Sequence, residues 1–187
     1  MSLRVGTISS EICNRGKFVG YPITILNFED KDSKRVKGRA VDTLVKIINK
    51  MNNLHVQLTG HEPLSQEETL SLVYELVDKN YEVEIVTNCD NNIEDYRSSR
   101  TFTYLLNVHC PSSGIEECND YSNIRKLSSR DSLRFFIFSI EDYIFALEII
   151  KKYPPLSPVI FSAVGSEAEE ELPKWILEDK TYRVRLQ

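Results

Sequence analysis

The residues with the densest chemical potential lie in Thr59-Gly60-His61-Glu62-Pro63, where a β-rich run ends in a glycine, a carboxylate and a proline. Short polar groups recur at the ends of later apolar runs. Thr87 and Asn88 close one, and Ser112 and Ser113 follow another. Hydroxyl, amide and carboxylate groups gathered at strand ends suit the binding of a small polar metabolite, because strand-end loops and helix starts turn unpaired N–H groups toward a crevice. The same short residues also serve as turn formers and caps, so the residues themselves leave a structural role open. His61, Cys89, His109 and Cys110 fall at predicted strand ends as well, with Cys13 as a further thiol. Two thiolates and two imidazoles would suit tetrahedral zinc, although none shows the short spacing of a structural zinc site. No Ser/His/Asp arrangement, phosphate loop or paired-carboxylate spacing stands out, so no catalytic residue is assigned.

The elements that must position these groups alternate. Arg4–Ser9 and Tyr21–Phe28 read as strands joined by a turn from Glu11 to Gly20, in which Gly16 and Gly20 are free to take positive φ. The charge-dense stretch from Glu29 to Arg39 reads as a solvated connection. Val41, Leu44, Val45, Ile48 and Met51 share one face of a helix, and a strand then leads to Gly60. Ser65 is placed to cap the following helix, whose inward face would be Leu70, Val73, Leu76 and Val77. Strands Tyr81–Thr87, Phe102–Val108, Leu133–Phe138, Pro158–Ser162 and Arg183–Leu186 are predicted, with helices around Tyr121–Leu127, after Ser139 and over Glu167–Glu178. This order predicts an α/β fold with a mostly parallel sheet, open or closed in part as a (β/α) barrel, in one domain over residues 1–187.

The 187 residues are 41% hydrophobic and 27% charged, an ordinary globular composition. A net charge of −5 argues against a general nucleic-acid or membrane-surface binder. No apolar run approaches a membrane span and the amino terminus does not read as a signal peptide, so a cytoplasmic protein with four reduced cysteines is expected.

Thr59-Gly60-His61-Glu62-Pro63-Leu64 resembles the TGGEPL motif of radical S-adenosylmethionine proteins. The wider chain resembles their 7-carboxy-7-deazaguanine synthase branch, which belongs to queuosine-type biosynthesis, and the related organic radical activating proteins. Thr7 to Pro22 lies over a pattern like EIFxSIQGEGxxxGxP, His109 to Gly114 over KPPSSG, and the carboxyl-terminal stretches Trp175–Asp179 and Arg183–Gln187 follow in order. The resemblance implies a partial barrel, a homodimer or partner interface, and S-adenosylmethionine at Thr59, Gly60, His61, Glu62, Pro63, Thr87, Asn88, Ser112 and Ser113. It places Cys13, Arg15 and Gly16 on the substrate side, where the family binds a carboxylated tetrahydropterin with magnesium assisting. Departures accompany it. The family's CxxxCxxC loop after the second strand, which ligates a [4Fe–4S] cluster, has no cysteine counterpart in Glu29–Arg39. Cys13 stands for Gln, Arg15 for Glu and His61 for Gly. The expectation is a divergent member without the family's radical activity and without the cluster. The alternatives are a non-catalytic binding or regulatory module, and a thiol- or metal-dependent enzyme at the same rim.

Overall fold

In the computed structural model, residues 2–93, 102–180 and 184–187 are described. Contacts divide the chain into two compact units, Met1–Thr87 with Tyr96–Tyr104 and Asn88–Asp95 with Leu105–Gln187.

In the first unit β1 (Val5–Ile12) runs antiparallel to β2 (Pro22–Phe28). Helix α1 (Val41–Met51), β3 (His55–Gly60), α2 (Thr69–Asp78) and β4 (Glu82–Asn88) follow, with β2, β3 and β4 parallel. Helix α1 buries Leu44, Val45 and Ile48, as its periodicity predicts. Leu26, Val56, Leu58, Val83 and Ile85 are buried among the strands.

Three expectations change here. Strand β1 continues to Ile12, past the predicted start of the turn, because Glu11 and Ile12 still pair with Ile23 and Pro22. Ser65 does not cap a helix. It ends a 3₁₀ turn, Pro63–Ser65, with its hydroxyl donating to the Glu62 carbonyl at 2.8 Å. Gln66 is extended, with ψ 121°, which interrupts helical winding, so α2 starts at Thr69 without a side-chain cap. Its buried face is consequently Thr69, Leu72, Val73 and Leu76.

The second unit takes up β5 (Phe102–Val108) from Leu105 onward, then α3 (Ser122–Lys126), β6 (Ser132–Ile137), α4 (Ile140–Lys152), β7 (Val159–Ala163), α5 (Ser166–Glu178) and β8 (Val184–Leu186). Strands β5 to β8 are all parallel, and every residue of β5 is buried, as an apolar parallel strand requires. Ser139 caps α4 as expected, its hydroxyl accepting from the Asp142 N–H at 3.5 Å. Arg183, placed by the sequence at the start of the last strand, lies outside the described residues. Among the described residues no helix is long and apolar enough to cross a membrane.

Candidate functional site

In the first unit Thr59, Gly60, His61, Glu62 and Pro63 do come together with Thr87 at the carboxyl ends of β3 and β4. Gly60 has φ 104°, and a Cβ there would lie 2.6 Å from the Phe28 backbone nitrogen and also meet the Phe28 carbonyl and Asn27. A larger residue would push β3 off β2. Pairing continues one step further, as the His61 N–H donates to the Phe28 carbonyl at 2.8 Å. The His61 imidazole is 60% exposed and lies 3.1 Å from the Asp30 carboxylate. Glu62 takes φ 27°, a left-handed value rare for a non-glycine residue. Its carboxylate holds that turn by accepting from the Thr87 hydroxyl at 2.6 Å and the Leu64 N–H at 3.2 Å. Pro63 is buried, and its carbonyl accepts from the Thr69 hydroxyl at 2.6 Å, tying the turn to α2.

Cys13, Arg15 and Gly16 lie elsewhere in this unit, in the hairpin between β1 and β2. That hairpin is at the amino end of β2, a strand length of about 20 Å from the Gly60 turn. Cys13 therefore does not join the strand-end groups. Its thiol is buried and donates to the Arg15 carbonyl at 2.9 Å, and burial raises its pKa. Gly16, at φ 71°, rests against the Glu84 carboxylate, and Arg15 is exposed. Glu84 is fully buried and accepts from the Lys17 N–H at 2.9 Å and from the Gln57 amide at 2.6 Å. The sequence shows Glu84 only as a polar member of an alternating strand, because its partners are 27 and 67 residues away.

In the second unit Asn88 accepts from the Asn107 amide at 3.1 Å, and Asn107 accepts from buried Arg134 at 2.8 Å. His109 is fixed through its backbone, which exchanges bonds of 3.0 and 2.8 Å with the Asn119 side chain. Its Nε2 is buried 3.9 Å from an Asp90 oxygen. Pro111–Ser113 forms a 3₁₀ turn. The buried Asp142 carboxylate accepts from the Ser112 and Phe138 N–H groups, each at 2.9 Å. Ser112 and Phe138 both line a cavity of about 390 Å³, with Val108, Phe136 and Val164 as further apolar lining and His109 and Ser113 as further polar lining. The volume falls in the range of small-molecule sites, about 300–1,000 Å³. Sequence reasoning found the two serines but missed Asp142, which holds the Ser112 N–H, having read the stretch after Ser139 only as a helix start.

Of the residues considered for zinc, His61 lies in the first unit, and Cys89, His109 and Cys110 lie in the second. Among the described residues no group of three or more His, Cys, Asp or Glu side chains is placed to hold a metal ion. Burial pushes the thiols of Cys89 and Cys110 up to about 12, with Asp120 and Asp90 adding to the first and Asp142 to the second. Each thiol points to a carbonyl, Cys89 to Asp120 at 3.3 Å and Cys110 to Val108 at 3.9 Å. Neither is a thiolate near neutral pH.

No protein-family model matches the chain. It is similar to proteins named 7-carboxy-7-deazaguanine synthase. One from Koribacter versatilis is 30% identical over 142 residues, covering 67% of this chain and 62% of the relative. Another from Methanospirillum hungatei is 30% identical over 127 residues, covering 66% and 51%. The chain thus spans about half to three fifths of the length of these relatives. Among solved structures, QueE from Escherichia coli superposes with a TM-score of 0.77 at 13% identity, covering 100% of this chain and 94% of QueE. Streptococcus suis SuiB bound to S-adenosylmethionine gives 0.59 at 11% identity over 83% of this chain and 45% of SuiB. The resemblance and the mostly parallel α/β fold expected from the sequence are borne out.

Proposed function

We propose that the chain is a divergent 7-carboxy-7-deazaguanine synthase-like protein that binds S-adenosylmethionine or a similar metabolite at its strand ends, without the [4Fe–4S]-dependent radical reaction. The observation that carries this reading is the chemistry of residues 29–39. A cluster of this kind needs soft thiolate donors on a loop short enough to wrap it. The connection between β2 and α1 contains no cysteine. The four cysteines are elsewhere, three buried and Cys118 exposed. The residues present do not fit the group.

The binding part of the reading is supported by the strand-end turn and by the second unit's cavity. The Glu62 carboxylate is fixed at the end of β3, suited to receive an amino group. Taken by itself, the cavity of the second unit offers apolar walls with His109, Ser112 and Ser113 among its lining, suited to a small partly polar molecule. Supporting the relation to the synthases is the similarity to proteins of that name. Assembly as a homodimer or with an active homologue in the cytoplasm belongs to the same proposal. A thiol enzyme at this rim is disfavoured by the raised Cys89 and Cys110 thiols.

The test is anaerobic reconstitution with iron and sulfide, followed by visible absorption and a melting titration with S-adenosylmethionine. We expect no broad iron–sulfur absorption and a saturable rise in Tm. At a ligand concentration 100 times Kd, the linkage amounts to about 2.7 kcal/mol. A stable cluster would overturn the loss of the cofactor, and an unchanged Tm would remove the metabolite from the reading.

A further inference from the structure

The β2–α1 connection is held by an internal clasp. The Arg4 guanidinium donates from Nε to the Lys31 carbonyl and from Nη1 to the Val36 carbonyl, both at 2.7 Å. The Arg4 main chain takes part as well. Its N–H donates to Gln66 Oε1 at 2.8 Å, and its carbonyl accepts from the Glu29 N–H at 2.9 Å. Gln66, 7% exposed, completes the set by donating from Nε2 to the Glu29 carbonyl at 2.9 Å and to the Arg4 carbonyl at 3.4 Å. Beyond it, Leu3 and Arg39 exchange both backbone bonds at 2.8 Å, closing the connection into a loop. His61 and Asp30 lie against each other over the ends of β3 and β2.

These contacts join three segments far apart in sequence, the entry to β1, the exit of β2 and the chain just past the Gly60–Pro63 turn, in addition to the strand pairing of Val5 with Phe28. A loop of eleven mostly polar residues pays a closure cost that needs compensating contacts. A buried amide that satisfies backbone groups from two segments specifies a single geometry, since leaving any of them unpaired is expensive. In the resembling family this segment wraps a metal cluster; here its carbonyls converge on one guanidinium instead.

We propose that Arg4 and Gln66 form a metal-independent clasp that folds the 29–39 connection and positions the adjoining strand-end turn. This inference rests on the reading that the cluster has been lost. Gln66 follows the Pro63–Ser65 turn directly, so the clasp sets where that turn, and with it Glu62, sits relative to β2. Arg4 and Gln66 are positioning residues, and neither is required to touch a ligand.

The experiment is amide hydrogen exchange on the full chain, prepared iron-free and again after iron and sulfide treatment, alongside the variants Arg4→Met and Gln66→Leu. The Glu29 and Arg39 amides report on the clasp, and the Phe138 and Leu133 amides of the second unit serve as controls. We expect the Glu29 and Arg39 amides of the iron-free wild type to be protected and indifferent to iron. Each variant should raise their exchange by about tenfold, the worth of one or two hydrogen bonds, while the controls stay unchanged. Free exchange at Glu29 and Arg39 in the iron-free wild type would overturn the clasp, and this measurement stands even if a variant fails to fold. Unaltered exchange in both variants would also overturn it. If the segment becomes protected only as iron–sulfur absorption develops, both the clasp and the reading of a lost cluster fail. An unprotected segment without such absorption sinks the clasp alone.

Discussion

Gly60 and Glu62 divide the work of one turn. Gly60 is required because β2 passes too close for a Cβ, and Glu62 is held at φ 27° by bonds from Thr87 and Leu64. Gly60→Ala combines a left-handed backbone with a clash against Phe28, and should cost at least about 2 kcal/mol in urea unfolding. Thr87→Val removes one short bond to a carboxylate at nearly constant volume, and should cost about 1.5–3 kcal/mol while weakening the S-adenosylmethionine melting shift. Both residues stand out in the sequence as loop chemistry. Their reason for being there is legible only once Phe28 and Thr87 are seen beside them. The cysteines differ among themselves in accessibility. Cys118 is exposed, whereas Cys89 and Cys110 are buried with thiols pushed up to about 12. Iodoacetamide on the native protein at neutral pH should therefore label Cys118 first, with Cys89 and Cys110 reacting only on unfolding, as peptide mapping would show.

At the scale of elements, the helix starts show where local pattern suffices and where it does not. Ser139 caps α4 through its own neighbour Asp142, a contact three residues long that spacing predicts. Ser65 has the same chemistry yet caps nothing, because Gln66 is drawn into contacts with residues up to 62 positions away and leaves the helical path. Asp142 carries a second, long-range duty that its capping position conceals. Its two oxygens join the loop after β5 to the end of β6. Asp142→Ala would strand the Ser112 and Phe138 N–H groups, both of residues that line the cavity. It should destabilise the protein by about 3 kcal/mol in denaturant titration. Asn119 and Asn123 act similarly, bonding to His109 and to the Cys89 and Asn91 carbonyls, and read from sequence only as ordinary polar loop residues.

For the whole molecule, the buried thiols add a pH dependence. Cys89 and Cys110 move from the ordinary 9.0 to about 12 in the folded protein. The folded chain therefore keeps protons that the unfolded chain releases. Their contribution is intact below pH 9.0 and is lost as pH rises toward about 12. Urea midpoints should fall across that interval, and the decline should be shallower in a Cys89→Ala/Cys110→Ala variant, measured against its own value at pH 8. The 4 cysteines and a net charge of −5 are composition, and the sequence suffices to state them. Which thiols are inert depends on burial, which composition does not contain.

The sequence by itself determined the alternation of strands and helices, the parallel pairing that such alternation enforces, the Gly60–Pro63 turn and the lack of thiolates in residues 29–39. Each of these follows from local periodicity, turn chemistry or residue identity. Tertiary structure alone decided that Glu84 is buried, that Asp142 braces a cavity, that His61 leans on Asp30 and that Arg4 and Gln66 gather the β2–α1 connection. Those facts depend on pairs separated by about thirty residues or more, and the energy of burying a polar group is set by the partner it meets, which no local pattern records.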